Sequence, residues 1–335
     1  MKTASVLCIL AIGIMLASNA YAQDSTAFIP NGKFQMKVYS NFHTGLSEAD
    51  KSSAFEIKRV YFGYAYKMSE HFSTEAKLDI GSPNDESQYS LLRRYAYFKT
   101  AGLSYKNKGL TWNFGLIDLQ QCKLQEKFWG HRYIYKSFTD EYGYGAVADL
   151  GTGLIYEFNK YVTADLTVMN GEGYTKLQAD NTYKAGAGIT LTPLEGLTAR
   201  AYYDYTEKGT VQSAITGFLG YNHKDKILVG GDYSYEKNTG FTDNHDMYGF
   251  SAYAMYNFSK KWQVFGRYDN SMSNIPENYE YAWNNAKDGQ AVIGGVEFSP
   301  MENIRISANY QGWYSEVTGS DPRHCIYLNL EYQVK

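Results

Sequence analysis

The stretch FSTEAKLDI, at residues 72–80, decides the fold, because apolar and polar side chains alternate along it. Successive side chains of a β-strand point to opposite faces, so one face is apolar and the other carries Glu75, Lys77 and Asp79. One Lys at the centre of a bilayer costs about 2–4 kcal/mol, so the charged face cannot meet lipid. The stretch therefore predicts a strand of a transmembrane β-barrel, with its apolar face outward and its charges inside.

The same alternation recurs in 16 runs between Lys33 and Val334, and the links between the runs alternate short and long. Tight periplasmic turns and longer extracellular loops produce this rhythm in membrane barrels. We therefore predict an all-β fold, a transmembrane antiparallel up-and-down β-barrel of 16 strands, which is wide enough to enclose an aqueous channel. The predicted strands are 33–43, 54–66, 71–80, 90–104, 109–118, 145–158, 161–170, 182–192, 197–206, 213–222, 226–236, 246–258, 261–270, 289–299, 303–314 and 324–334. The predicted long links are 44–53, 81–89, 119–144, 171–181, 207–212, 237–245, 271–288 and 315–323.

The inward faces of these strands are predicted to be polar and charged, whereas a soluble β-sandwich has an apolar inner face. Because alternation alone fits both, a secreted sandwich or lectin remains the alternative fold. Two strands keep their charges inside only if each contains a β-bulge, since 54–66 includes Lys58-Arg59 and 90–104 includes Arg93-Arg94. The predicted lumen wall carries Glu75, Lys77, Asp79, Arg200, Asp204, Asp232, Arg267, Asp269 and Arg305.

Residues 1–22 have the features of a secretory signal peptide. Lys2 precedes the apolar stretch 6–16, and Ala20-Tyr21-Ala22 forms a small-residue cleavage site. The apolar stretch is shorter than the ~20 residues that a spanning helix needs. We therefore predict cleavage after Ala22 and a single barrel domain over residues 23–335. The 33 tyrosines suit the two interfaces of an outer membrane.

The third long link, 119–144, is the longest, and links of this length are usually functional. It mixes aromatic with charged residues, so we expect it to fold into the barrel and lay charges across the opening, as pore filters do. The alternative is that these charges neutralise one another and only hold the link in place. The predicted constriction residues are Lys123, Glu126, Lys127, His131, Arg132, Lys136, Asp140 and Glu141.

Several motifs resemble those of phosphate-selective-type (porin O and P) outer-membrane porins. The segment FEIKRVYFGY at 55–64, together with LDIG at 78–81, looks like the amino-terminal part of these proteins. The segments FWGHRY at 128–133, TDEYGYG at 139–145 and NGEGY at 170–174 are similar to the porin-like branch. The resemblance implies a 16-stranded, typically homotrimeric barrel with an inserted third loop. It does not fix the solute, and phosphate preference in the named members depends on a dense lumenal array of Arg and Lys.

We therefore expect an outer-membrane porin for passive diffusion of small polar or ionic solutes, in contact with the lipid bilayer and lipopolysaccharide. A phosphate- or anion-selective porin is the first alternative. An adhesin or ligand-capture barrel is the second, since Tyr279, Tyr281 and Trp283 could stack on a sugar. An enzyme is the least favoured, because none of the six histidines falls in a nucleophile motif. We expect no cofactor and no metal, and the net charge of -3 argues against a nucleic-acid partner.

Overall fold

The structure is a computed structural model that describes residues 28–48, 51–81 and 95–334. Within these ranges the sheet is a closed barrel of 16 strands. The predicted signal peptide, nearly all of the predicted link 81–89 and the Arg93-Arg94 pair lie outside the described residues. The strands are β1 Asn31–Gly45, β2 Ser53–Lys67, β3 Phe72–Gly81, β4 Tyr95–Asn107, β5 Leu110–Asp118, β6 Ala148–Asn159, β7 Val162–Met169, β8 Lys184–Leu191, β9 Leu197–Lys208, β10 Thr210–His223, β11 Ile227–Lys237, β12 Met247–Asn257, β13 Trp262–Ser273, β14 Gly289–Met301, β15 Ile304–Ser315 and β16 Arg323–Val334.

Each strand pairs in antiparallel fashion with its neighbours in the sequence, which is an up-and-down topology. The last strand closes the barrel on the first, with Met36 of β1 opposite Val334 of β16 and Gly45 opposite Cys325. Closure leaves no unpaired sheet edge, which a barrel in a membrane requires because lipid offers no hydrogen bonds. The predicted strand number and topology are confirmed.

The two faces of the strands have the predicted orientation. In β9, Arg200 and Asp204 point inward and are 5% and 3% exposed, whereas Tyr203 between them points outward and is 49% exposed. In β3, Asp79 is likewise buried on the inner side. Large apolar side chains on the outer face are placed to meet lipid chains, and the polar side chains are shielded from them.

The predicted bulge in β2 is present, and β4 also contains a bulge, but the Arg93-Arg94 pair for which a bulge is predicted lies outside the described residues. Along β1, Tyr39 pairs with Arg59 but Ser40 pairs with Ile57, so Lys58 is an extra residue in β2. Along β3, Lys77 pairs with Thr100 but Leu78 pairs with Phe98, so Lys99 is an extra residue in β4. Because a bulge lets two consecutive side chains point to one side, each strand adds a lysine to the interior.

The predicted long link 207–212 is wrong. Strand β9 ends at Lys208 and β10 begins at Thr210, so only Gly209 separates them. Gly209 has a φ of +80°, in the left-handed region that glycine tolerates best. This tight hairpin interrupts the strict alternation of short and long links.

The third long link is the segment 119–147 between β5 and β6, which we call the inserted segment. It contains two helices, α1 Gln120–Trp129 and α2 Phe138–Tyr142, which the strand pattern did not predict. Each helix ends at a glycine in the left-handed conformation, with φ of 66° at Gly130 and 84° at Gly143. Among the described residues, no helix is long and apolar enough to cross a membrane.

The inserted segment packs on apolar side chains that point inward from β10 to β14. The Trp129 ring lies 5.4 Å from that of Tyr253 and 6.2 Å from that of Phe265, and Phe128 lies 5.0 Å from Phe218. The expectation of an entirely polar inner face is therefore wrong for this part of the wall. The physical reason is that the aromatic side chains of the segment need a dry surface on which to pack.

Candidate functional site in the barrel lumen

Glu297 of β14 holds the tip of the inserted segment through three side chains. It accepts hydrogen bonds from Tyr133 Oη at 2.8 Å and from Arg305 Nη2 at 2.6 Å, and His131 Nε2 lies 3.3 Å from its carboxylate. Arg305 also donates from Nη1 to the backbone oxygen of Gly130 at 2.8 Å. These contacts fix residues 130–133 against β14 and β15. His131 is therefore part of an anchor, 1% exposed, and does not line the opening.

A second anchor is Arg267 of β13. It forms an ion pair with Asp269 at 2.7 Å and donates to the backbone oxygen of Lys136 at 2.7 Å. Its guanidinium lies 4.8 Å from the centre of the Trp129 ring, in position for a cation–π contact. Arg267 and Asp269 are 4% and 0% exposed, so their charges compensate each other away from water.

A third anchor is Arg200 of β9. It binds Asp165 at 2.6 Å and donates from Nε to Gln121 Oε1 of α1 at 3.0 Å. The side chains of Arg200 and Asp165 are 2% and 3% exposed. Like Arg267, Arg200 therefore pairs with a carboxylate of the wall and also donates a hydrogen bond to the inserted segment.

The predicted wall residues thus fall into two groups. Glu75, Lys77 and Arg305 border cavities inside the barrel. The second group is buried inside the barrel, and its members are Asp79, Arg200, Asp204, Asp232, Arg267 and Asp269. Asp79 is held by Arg59 at 3.2 Å and by the Tyr174 hydroxyl at 2.6 Å, and Asp204 lies 3.6 Å from Lys184.

A cavity of about 580 Å³, which we call the open cavity, lies between α1 and the inward faces of β1 to β5, β15 and β16. Lys123 and Lys127, four residues apart in α1, point into it from one helix face. Eight basic and three acidic residues border the cavity. The predicted residues among them are Lys77, Lys123, Glu126, Lys127, Arg132 and Arg305.

Sequence reasoning missed Lys33, Lys37 and Lys99, which also border the open cavity. Lys33 and Lys37 alternate along β1 on its inner face, so the period of this strand carried the signal. Lys99 could not be assigned, because the position of the bulge in β4 was not evident from the sequence. Its ammonium lies 5.1 Å from the centre of the Tyr61 ring.

Several of the predicted constriction residues, including two that border the open cavity, form ion pairs within the inserted segment. Arg132 lies 3.1 Å from Glu126 and 3.0 Å from Asp140, and Lys136 lies 3.8 Å from Glu141. Burial alone would lower the pKa of Arg132, but the nearby Tyr61, Asp140 and Glu126 raise it above its ordinary value. Arg132 therefore stays charged while it borders the open cavity. These pairs support the view that part of the charge holds the segment in place.

The aromatic loop that could serve an adhesin is packed on itself. Trp283 stacks on His245 at 4.7 Å between ring centres and donates to the backbone oxygen of Asp246 at 3.0 Å. Tyr279 lies edge-on to the same His245 ring at 6.1 Å, while Tyr279 and Tyr281 are each 57% exposed. In the described part of the chain, no group of three or more His, Cys, Asp or Glu side chains could hold a metal ion.

Solved structures of outer-membrane proteins share this fold at low sequence identity. The outer membrane channel DcaP of Acinetobacter baumannii has a TM-score of 0.69 and 12% identity, covering 93% of this chain and 100% of that one. The anion-selective porin of Comamonas acidovorans has a TM-score of 0.67 and 11% identity, covering 91% and 100%. The trimer form of OmpT from Vibrio cholerae has a TM-score of 0.61 and 14% identity, covering 92% and 100%.

No family model and no curated protein matches the chain. At 11–14% identity the three structural matches show the fold and not the solute. The chain therefore has the fold of an outer-membrane β-barrel channel.

Proposed function

We propose that this chain is an outer-membrane porin, a passive channel for small polar or ionic solutes. The observation that carries the proposal is the open cavity, about 580 Å³ bordered by charged side chains inside a closed barrel. Most of the apolar inward side chains beneath the inserted segment come from β10 to β14, although Tyr39 of β1 and Tyr61 of β2 join the same cluster. The opposite wall presents Lys33, Lys37 and Lys77 to the open cavity. A water-filled passage along that wall would let solutes cross without any chemical step.

The proposed channel would be exported by the signal peptide at residues 1–22 and would sit in the outer membrane as a homotrimer. Its apolar outer face would contact lipid and lipopolysaccharide. The trimer form of OmpT and the name of DcaP as an outer membrane channel support these assignments by analogy of fold.

For selectivity, we propose that the channel favours anions over cations. Eight basic residues border the open cavity against three acidic ones, and a surplus of bases remains when Asp140 and Glu297, which pair with Arg132 and Arg305, are added to the acids. Arg200 and Arg267 are neutralised under the inserted segment. A cleft lined by one sign of charge concentrates ions of the opposite sign. The anion-selective porin of Comamonas acidovorans supports this proposal by fold alone. A more specific form of this proposal is a phosphate-selective channel, as the resemblance to porins O and P implies.

Recording in planar bilayers tests both proposals. We expect the purified protein to insert and give ohmic conductance steps in KCl. In a KCl gradient, we expect a reversal potential whose sign shows chloride crossing faster than potassium. No conductance from a correctly folded barrel would refute the porin, whereas a potassium-selective reversal potential would refute only the anion preference.

An adhesin is the second candidate function, supported by the exposed Tyr279 and Tyr281, and it requires no conductance. It is the weaker candidate because the neighbouring Trp283 is committed to packing on His245. We propose no enzymatic role, since His131, the most buried histidine in the lumen, anchors the inserted segment through Glu297.

A further inference from the structure

A second cavity, which we call the outer cavity, lies on the extracellular side of the inserted segment. Its volume is about 550 Å³, within the range of about 300–1,000 Å³ found for small-molecule sites. It is enclosed by α2, by residues 284–287 of the loop before β14, and by the inward faces of β14 to β16. A solute that enters from outside reaches this cavity before the open cavity.

Four aromatic residues line the outer cavity, namely Tyr135, Tyr142, Trp313 and Tyr327. The Tyr142 and Trp313 rings are stacked, with centres 6.1 Å apart and planes inclined by 26°. Gly289 makes room for Trp313, because a Cβ at this glycine would lie 2.7 Å from the indole ring. One ring thus comes from the inserted segment and the other from the wall, and together they form a platform.

The charged residues that line the outer cavity are mostly basic, with Lys58, Lys287 and Arg323 against the single carboxylate of Glu141. Lys58 is the bulge residue of β2, and its ammonium lies 5.7 Å from the centre of the Tyr327 ring. Glu141 lies 3.8 Å from Lys136, which offsets its charge. The cavity therefore joins an aromatic surface to a surplus of positive charge.

We propose that the outer cavity binds an anionic saccharide, a sugar ring that carries a carboxylate, before the sugar passes to the open cavity. This proposal rests on the proposed channel function. The C–H face of a sugar ring packs on aromatic rings, and Lys or Arg recognises the carboxylate. An aromatic platform alone would accept a neutral sugar, and cations alone would accept any small anion. The combination selects the molecule that has both features.

The test uses single channels of the full mature barrel in KCl, with sodium glucuronate as the probe. We expect glucuronate to interrupt the current at lower concentration than glucose, which lacks the charge, or acetate, which lacks the ring. Trp313→Leu should raise the half-blocking concentration of glucuronate about three- to tenfold, the effect of losing one aromatic contact. Arg323→Gln should weaken the glucuronate block and leave that of glucose unchanged.

Tyr314→Leu is the matched control, because Tyr314 is the next residue of β15 and faces outward, 38% exposed. We expect it to leave the glucuronate block unchanged. A glucuronate titration of tryptophan fluorescence in detergent, wild type against Trp313→Phe, measures binding without current. A change that depends on Trp313 would support the site even if the barrel did not conduct.

A barrel that conducts KCl but shows neither block nor fluorescence change with glucuronate would overturn this proposal and leave the porin intact. Equal block by glucose and glucuronate would overturn the anionic part of the proposal. Equal effects of Trp313→Leu and Tyr314→Leu would overturn the assignment to the outer cavity.

Discussion

The two sides of the barrel interior use the same kinds of side chain for different purposes. On the packed side, β9 to β14, Arg200 and Arg267 are bound by carboxylates beneath the inserted segment and are at most 5% exposed. On the open side, β1 to β4, Lys33, Lys37 and Lys77 border a cavity. The difference lies in what covers each residue, since charge and strand position are similar on both sides.

This contrast explains why a charge count over the whole wall is misleading. The predicted wall looks mixed, because acids and bases alternate around it. Two of the acids, Asp165 of β7 and Asp269 of β13, neutralise Arg200 and Arg267 beneath the inserted segment. The balance beside the passage matters more for a passing ion, and eight bases and three acids border the open cavity. Two of these bases, Arg132 and Arg305, are also paired with Asp140 and Glu297, which still leaves a surplus of positive charge.

The largest test of this contrast is deletion of residues 123–136. It removes most of the layer that makes one side packed, so we expect single-channel conductance in KCl to rise about twofold or more as the opening widens. Deletion of residues 275–282, in an outer loop, is the control and should leave conductance nearly unchanged. If the first deletion left conductance at the wild-type value, the inserted segment would not form the constriction.

Charge reversal on the open side should produce the next largest effect. Lys123→Glu with Lys127→Glu changes the border of the open cavity from eight bases and three acids to six bases and five acids. We expect the reversal potential in a KCl gradient to move toward zero, because the surplus of positive charge almost disappears. Lys260→Glu with Lys261→Glu, in a periplasmic turn, carries the same charge change and should shift it less. Equal shifts would mean that overall charge, and not the open cavity, sets selectivity.

The outer wall of the barrel could be predicted from sequence because its strands obey a period of two. The outward residues of β3, β9, β15 and β16 follow directly from that period, since a charge in lipid is too costly to permit another register. The hairpin at Gly209 was missed because a single residue can connect two strands and leaves almost no link to recognise. The bulge at Lys99 was predicted for its strand but not for its position.

The site could be predicted only in part, because contacts within the lumen join residues far apart in sequence. The helices of the inserted segment were missed, since the expected loop had no strand-like period and was treated as irregular. The sequence around Phe265 and Ile293 does not show that these inward side chains are buried away from water. They are buried because Trp129 and Ile134, more than a hundred residues away in the sequence, pack in the same cluster.

Loosening the Glu297 anchor should have an intermediate effect. Glu297→Gln leaves Arg305 with the backbone oxygen of Gly130 and, as its remaining carboxylate, Glu331 at 3.4 Å. We expect a loss of about 2–3 kcal/mol, less than for a fully buried pair because Arg305 is partly exposed. The measurement is the temperature at which the barrel unfolds on gels, together with current noise. Glu157→Gln is the control, because it makes the same change at an exposed ion pair with Lys106.

Cys122 reports whether this anchor holds the segment. Burial raises the pKa of the Cys122 thiol to about 12, so little of the reactive thiolate exists at pH 8. In a Cys325→Ala background we expect slow labelling by a maleimide and faster labelling once Glu297→Gln is added. Labelling in the parent background should rise steeply as the pH approaches that value. Fast labelling at pH 8 before the anchor is loosened would contradict the packed side.

The smallest expected effect comes from comparing two neighbouring residues of β14, one in the packed interior and one on the lipid face. Ile293 of β14 points inward and is 2% exposed, while Val292 beside it points outward and is 38% exposed. Ile293→Val removes one methylene from a packed core and should cost about 0.5–1.5 kcal/mol, because the gap stays empty. Val292→Ala removes more carbon, yet lipid or detergent chains can fill its gap, so it should cost less. Urea unfolding in the same detergent compares the two variants. If Val292→Ala were the more destabilising variant, the interior beneath the inserted segment would not be close-packed, and the contrast between the packed and open sides would fail.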